Sequence, residues 1–427
     1  MNRWVSLGYF MFVLSRIVTA QNYQSFLTGN PNDSLVQPLG GICLVGGASE
    51  DDNAMKWFLQ RANGGDVLVL RTSGGDGYNT YLYSTLGISV NSVETIVCLN
   101  PNSSSDPYIL DKIDRAEAIW FAGGDQWNYI SYWRNTPFNQ ALNDAIHQRK
   151  VVVGGISAGM AIQGQYYFSA QNGTVTSAAA LSNPFGNSVT VDGAPFVDHN
   201  FLNHTITDTH FDNPDRKGRL VVFVARMFAQ EGVQSRAIAC DEYTAVCIDT
   251  MGEARVFGDF PNYEDYAYFL QVNCALGDPS PELCAANTPL TWNRNGEAVK
   301  TYKIPGKSLG QNTFNLSDWK TGVGGQWEQW SVNLGVLSVE PSAPVECGMN
   351  ALNEEPWQPN IYLNAETNTL FMDIKPEALV EIFNALGQEI WRGQAQPILQ
   401  LSGFSPGLYQ VRVQQGTKRY IKSIGIY

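Results

Sequence analysis

Residues 151–160 read Val151-Val152-Val153-Gly154-Gly155-Ile156-Ser157-Ala158-Gly159-Met160. An apolar run suited to a buried strand leads into G-x-S-x-G, and helix-compatible residues follow. A serine hydroxyl is a weak nucleophile on its own. On a tight strand-to-helix turn its oxygen is presented to solvent, glycines relieve the crowding, and the next N–H, here on Ala158, can donate to an oxyanion. The first turn of the helix favours developing negative charge. The competing reading is a tight turn with a capping serine. The strand–turn–helix context favours a nucleophile at Ser157.

A nucleophilic serine needs a base, and the chain holds only four histidines, at 147, 199, 204 and 210. His147 falls late in a helical pattern, and His199 and His204 flank loop-like text. His210 lies in Thr205-Ile206-Thr207-Asp208-Thr209-His210-Phe211, which suits a strand and would put Asp208 and His210 on one face. A carboxylate must then orient the imidazole. The apolar run Ala237 to Val246 carries two adjacent acids, Asp241 and Glu242, that face opposite ways in a strand, so one of them can serve. Two Gly-Gly pairs also follow strand-like runs. Phe121-Ala122-Gly123-Gly124-Asp125-Gln126 suits an oxyanion-binding loop, because glycine lets backbone N–H groups approach a ligand. Gly46-Gly47-Ala48-Ser49 lacks the rest of a dinucleotide fingerprint and reads as a tight turn.

The elements that must position these residues alternate from Gly40 onward. Strands are expected at 42–45, 66–71, 93–99, 118–122 and 151–155. Helices are expected at 52–61, 78–86, 129–148 and from Ala158. Continuous apolar strands between helices predict an α/β fold with a parallel sheet covered on both faces, and sites in such folds gather at the carboxyl ends of the strands. Asn213-Pro214 reads as an N-cap and first helical residue. The helix then runs toward Gly232 and carries Arg216 and Arg219 near one face of its first two turns. A carboxylate bound there would meet two guanidinium groups.

Composition excludes several functions. With 27 Lys+Arg against 40 Asp+Glu, the net charge of −13 disfavours nucleic-acid binding. Seven cysteines and four histidines without paired spacing disfavour a zinc finger, and the serine chemistry requires neither metal nor cofactor. An apolar content of 44% with only 16% charged residues is that of a folded chain with a sizeable core.

The two ends carry a different signal. Asn2-Arg3, the apolar run Trp4 to Leu14 and Val18-Thr19-Ala20 read as a cleavable signal peptide over residues 1–20. Cys274 and Cys284 flank a polar loop and could close a small disulfide ring in an exported protein, while Cys43, Cys98, Cys240 and Cys247 read as small buried hydrophobes. The main domain then spans 21–337, with Gly324 to Trp330 as closing β-structure. Residues 338–360, with four prolines, read as a linker. Residues 361–427 break into about seven short strand patterns and predict a small all-β sandwich.

Four blocks of the central region, Phe121 to Gln126, Gly154 to Met160, Asp208 to Leu220 and Ile238 to Ala245, together resemble the cyanophycinase and aspartyl-dipeptidase family of serine peptidases. Their fold is similar to that of class I glutamine amidotransferases. The resemblance implies Ser157 as nucleophile, His210 as base and Glu242 as the orienting acid, with Gly124 and Ala158 supplying the oxyanion N–H groups. The order Ser, His, Glu differs from that of α/β-hydrolases. The family's Gly-Gly-Asn-Gln loop appears here as Gly123-Gly124-Asp125-Gln126, and Thr209 replaces the Gln of its Asp-Gln-His-Phe strand. Pro214 stands at the first of three pocket arginines, and Arg216 and Arg219 at the others. Gln126, Asp208, Thr209, Arg216 and Arg219 are thereby implied as substrate contacts, and a peptide or isopeptide with acidic groups as the substrate. The resemblance extends to the nucleophile chemistry rather than to cyanophycin itself.

The C-terminal region resembles the sorting domain of Bacteroidetes type IX secretion substrates. The matching residues are Val380 to Gln388, Leu401 to Tyr409 and the basic Lys418-Arg419-Tyr420-Ile421-Lys422. This implies the type IX machinery as a partner and a secreted or cell-surface location. The rival expectations are a catalytically vestigial binding protein on the same fold and a surface adhesin acting through its β-domain. The oligomeric state is open, with a homodimer among the options.

Overall fold

The apolar run Asp-Val-Leu-Val-Leu-Arg forms the strand Asp66–Arg71, whose four middle residues are buried. Strands of this kind, apolar on both faces, occupy the centre of a ten-stranded sheet in a computed structural model that describes residues 21–194, 196–345, 360–364, 367–384, 389–415 and 418–426. The order at the centre is Ser92–Cys98, Asp66–Arg71, Ala118–Phe121, Val152–Ile156, Gly41–Val45, all parallel. The edges are antiparallel. Tyr23–Gly29 pairs with Ser92–Cys98 on one side. On the other side Ala245–Ile248, Glu253–Phe257, Asn312–Asn315 and Gly322–Val323 follow in turn. The fold is therefore α/β, but the sheet is mixed rather than parallel. Ala245–Ile248 and Glu253–Phe257 are joined by a short turn, as are Asn312–Asn315 and Gly322–Val323, and so short a connection permits only antiparallel neighbours.

Helices cover this sheet. Asp52–Arg61 begins at Asp51, whose carboxylate accepts from the N–H groups of Asn53 and Ala54, and buries Ala54, Met55, Phe58 and Leu59 along one stripe. Phe58 meets Trp120 edge-on at 5.2 Å between ring centres. Fully burying each such large apolar side chain stabilises the fold by about 1.5–3 kcal/mol. The helix expected at 129–148 is broken in two, Gln126–Trp133 and Pro137–Asp144. Pro137 cannot continue the first helix but suits the start of the second.

A second sheet of six strands runs Val336–Pro341, Gln326–Asn333, Val299–Pro305, Tyr266–Val272, Arg236–Cys240, Thr205–Asp208. The helix Lys217–Glu231 packs on it through Leu220, Val221, Val222, Phe223, Val224 and Ala225. The strand expected over 237–246 is really two. Arg236–Cys240 belongs to the second sheet and Ala245–Ile248 to the first, so the turn 241–244 carries the chain from one sheet to the other.

The chain divides into two compact units near residue 346. The strand Val336–Pro341 occupies residues expected to open the linker, and most of the remaining linker, like the expected signal peptide, lies outside the described residues. The C-terminal unit is all-β. One sheet is built from Asn360–Asn364, Thr369–Asp373 and Ile398–Gln400, the other from Leu379–Asn384, Glu389–Gln394, Gly407–Gln415 and Lys418–Ile426. Between them lies a core that includes Leu370, Val380, Ile382, Leu401, Val411 and Val413.

The expected ring between Cys274 and Cys284 does not form. Cys274 is disulfide-bonded, whereas Cys284 is a free thiol. Leu283 and Thr291 are joined by two backbone hydrogen bonds of 2.9 Å, and Cys284 packs against the core beneath the helix Lys217–Glu231. Cys43, Cys98, Cys240 and Cys247 are buried free thiols, as their apolar surroundings predict.

Candidate active site

Ser157 follows the strand Val152–Ile156 at φ 52° and ψ −116°, a conformation sparsely populated by non-glycine residues. Its N–H donates to Val45 O at 3.0 Å, which ties the turn to the neighbouring strand. The turn also demands Gly159, since a Cβ there would lie 2.0 Å from Phe121 O. The following helix, Ala158–Ala161, has only four residues. Stabilisation of negative charge must therefore come from local N–H groups, such as that of Ala158 in the first turn, rather than from a long helix dipole. The loop bearing Gly124 runs alongside, and a Cβ at Gly123 would sit 3.7 Å from Ser157 Cβ. Asp125 fixes this loop by capping the next helix, accepting from Trp127 N–H at 2.9 Å.

Ser157 Oγ lies 2.8 Å from His210 Nε2, and His210 Nδ1 lies 2.6 Å from Glu242 Oε1. The strand that precedes His210 ends at Asp208, so the two-residue period does not reach the histidine. His210 instead adopts φ 46°, with its N–H bonded to Gly46 O at 3.0 Å. Gly47 faces its ring, and this close approach is why the Gly46-Gly47 turn matters to the site. Glu242 stands on the turn between the two sheets. Its N–H donates to Asp212 Oδ1 at 2.8 Å, and Asn213 Nδ2 donates to its Oε2 at 3.3 Å. The hydrogen bond to His210 holds the Glu242 carboxyl below its usual range, opposed by partial burial and aided by Asn213. An ionised Glu242 accepts a proton-bearing Nδ1, which leaves Nε2 free to accept the serine proton.

Asp241 is excluded from this relay. It is buried, and its Oδ2 accepts from Tyr266 N–H at 3.1 Å on the second sheet. The other histidines are elsewhere too. His147 meets Asp198 at 3.0 Å, and His199 is buried against Gln163 Oε1 at 2.8 Å, where desolvation pushes it down to about 3. His204 is exposed.

A cavity of about 230 Å³ opens beside Ser157, lined by Gln126, Ala158, Phe168, Thr174, Asp208, Thr209, His210, Arg216 and Arg219 among others. All five expected substrate contacts thus share one pocket, but they are not equivalent. Arg219 is buried and forks onto Asp208, with Nε to Oδ2 at 2.9 Å and Nη2 to Oδ1 closing the pair. The two charges largely cancel, so Arg219 is not free to bind substrate as expected, and Asp208 serves as its counter-ion. The helix also starts later than Pro214 suggests: Arg216 is its N-cap and Lys217 its first residue. Arg216 spends Nη1 on Thr209 O at 2.8 Å and, among the described residues, forms no direct ion pair of its own. Its charge is disfavoured by burial and by Arg219, and supported by Asp208 and Glu242. Sequence patterns gave no hint of Asp212 and Asn213 as neighbours of Glu242, or of Gly47 as neighbour of His210.

Residues 76–251 match Peptidase family S51, and this range contains Ser157, His210 and Glu242. The cyanophycinases of Synechococcus elongatus and Thermosynechococcus vestitus are each 26% identical over 227 residues, 51% of this chain and 66% of theirs. That of Geminocystis herdmanii is 25% identical, covering 49% of this chain and 78% of its own. The match thus spans just under two thirds of the first two relatives. Among solved structures, a peptidase from an acI-B1 Actinobacterium aligns at 16% identity and a TM-score of 0.39, over 52% of this chain and 89% of that one. A putative peptidase E protein from Listeria monocytogenes aligns at 17% and 0.33, over 52% and 98%. Residues 76–251 are thus similar to Peptidase family S51, and the curated relatives to which the chain is similar are cyanophycinases.

Proposed function

We propose that the chain is an exported serine peptidase, cyanophycinase-like in its chemistry, that hydrolyses peptide or isopeptide bonds next to acidic residues. The observation that carries this reading is the continuous relay from Ser157 Oγ through His210 to Glu242 at 2.8 and 2.6 Å, opening into a pocket lined by Arg216, which forms no direct ion pair among the described residues. Ser157 Oγ attacks the substrate carbonyl while His210 Nε2 takes its proton, and Glu242 stabilises the resulting imidazolium. The N–H groups of Gly124 and Ala158 receive the oxyanion. His210 then protonates the leaving amine, and water activated by the same imidazole hydrolyses the acyl-enzyme. Arg216 meets the acidic group of the substrate, with Gln126 and Thr209 beside it.

The test is labelling by a small fluorophosphonate, followed by hydrolysis of a panel of acidic dipeptides, isoaspartyl peptides and cyanophycin. Ser157 should label, and Ser157→Ala should lose labelling and about 10⁴–10⁶-fold in kcat. Failure of the folded wild-type chain to label would favour a vestigial binding protein. Export rests on the signal-like residues 1–20 and on the likeness of residues 361–427 to a type IX sorting domain. Removing residues 361–427 should abolish passage across the outer membrane while sparing hydrolysis in vitro; normal export of the truncated chain would overturn that part.

A further inference from the structure

Cys43 and Cys247 stand directly opposite each other on the antiparallel strands Gly41–Val45 and Ala245–Ile248. Their sulfurs are 3.6 Å apart, and both residues are fully buried free thiols. The register defines the kind of pair they form. Gly46 N–H donates to Thr244 O at 2.9 Å, so residues 46 and 244 are a hydrogen-bonded pair. Bonded and non-bonded pairs alternate along an antiparallel ladder, which makes Leu44 and Val246 bonded and Cys43 and Cys247 non-bonded. In a non-bonded pair the Cα atoms approach to about 4.5 Å and the side chains lie closer than in a bonded one. That separation falls inside the range of about 4.4–6.8 Å that a disulfide can span. Directly opposite residues also project from the same face, so their Cβ atoms point the same way.

We propose that Cys43 and Cys247 are a reversible cross-strand disulfide site, closed by exchange with a low-molecular-weight disulfide such as oxidised glutathione. One cysteine thiolate attacks the glutathione disulfide, giving a protein–glutathione mixed disulfide and one glutathione thiolate, which takes up the released proton. The second cysteine thiolate attacks the protein sulfur of the mixed disulfide and expels the second glutathione as its thiol. In total two protein S–H bonds and one glutathione S–S bond break, and one protein S–S bond and two glutathione S–H bonds form. The helix Asp52–Arg61 covers the pair, with Cys247 Sγ 3.9 Å from Ala54 O. Closure therefore belongs to the folding chain, before that helix docks, rather than to the finished protein.

The bond would tie together the two segments that frame the relay. Gly41–Val45 leads into the Gly46-Gly47 turn against His210, and Ala245–Ile248 leaves the turn that carries Glu242. The link itself does not depend on the catalytic reading, and its test reads no activity. The full chain is unfolded in urea, refolded in reduced and oxidised glutathione, and alkylated with N-ethylmaleimide under denaturing conditions before peptide mapping. The expected result is a Cys43–Cys247 linked peptide, released by dithiothreitol, with Cys240 and Cys98 alkylated. Reduction should also lower the urea midpoint, and by less in Cys43→Ala/Cys247→Ala, which retains the Cys274 bridge. Full alkylation of Cys43 and Cys247 after oxidative refolding, or linkage of either to Cys240, would overturn the proposal. The wild-type peptide map decides the matter even if the double variant fails to fold.

Discussion

Gly47 lies against the imidazole of His210 so closely that a Cβ at residue 47 would fall 2.3 Å from the ring's Cε1. Gly47→Ala should therefore displace the ring from Ser157. A shift of about 1 Å in a catalytic group costs on the order of 10²-fold. Steady-state kinetics should show that loss in kcat, while circular dichroism reports an intact fold. Unchanged kcat would mean the turn can yield without moving the histidine.

Glu242 and Asp241 are neighbours with opposite assignments. Glu242→Gln keeps the size of the side chain but offers Nδ1 the wrong partner, and should reduce kcat by about 10³–10⁴-fold. Asp241→Asn keeps an acceptor for Tyr266 N–H and should stay within a few-fold of wild type. The reverse order in a kcat comparison would assign the acid to Asp241.

Asp241 should instead govern stability against pH. Burial and the nearby Asp212 carboxylate push its carboxyl up to about 8, opposed by the Tyr266 N–H and by Lys217 and Lys303. In the unfolded chain it titrates near about 3.9. Between these values the native state holds a proton that the unfolded state has lost, so this group's contribution falls as pH rises from about 4 to 8 and levels off above. Asp241→Asn removes that slope. Urea unfolding should show the variant close to wild type at pH 5 and more stable at pH 9, by on the order of a few kcal/mol. An equal difference at both pH values would refute a neutral native Asp241.

The two arginines should separate. Arg216→Ala should raise KM for acidic substrates about tenfold or more, with neutral substrates and fluorophosphonate labelling spared, since a charge-assisted hydrogen bond contributes about 1.5–3 kcal/mol. Arg219→Ala leaves the buried Asp208 without its counter-ion and should cost about 3–5 kcal/mol of stability. Thermal unfolding distinguishes the two: a large drop for Arg219→Ala and a small one for Arg216→Ala is expected.

Local signals were legible where one residue class dominates. The helix Asp52–Arg61 and the strand Asp66–Arg71 match their expected limits, because a capping aspartate and an unbroken apolar run each act over short range. The seven C-terminal strands follow from alternation and turn residues in the same way. Ser157, His210 and Glu242 were each singled out by motif and resemblance, and the structure brings the three side chains together, although for His210 the strand argument did not hold. The turn at 241–244 contains neither Gly nor Pro, and Tyr243 takes φ 60° without any sequence cue. The fork of Arg219 onto Asp208 joins a helix to a strand, a contact that no periodicity encodes. The break before Pro137 lies in the proline itself, which cannot continue the first helix but suits the start of the second.

The turn that carries Glu242 belongs to neither sheet, because the strand before it pairs in one and the strand after it in the other. Ser157 hangs from the first sheet, and His210 follows a strand of the second. The relay is thus a stitch across a seam, and its length measures how well the two halves are aligned. Slippage of one sheet over the other would break the 2.6 and 2.8 Å contacts before either sheet lost its own ladder. On the proposed reading hydrolysis would then disappear at lower denaturant than the far-ultraviolet signal of the strands, and the relay would serve as the molecule's own gauge of sheet-to-sheet registration.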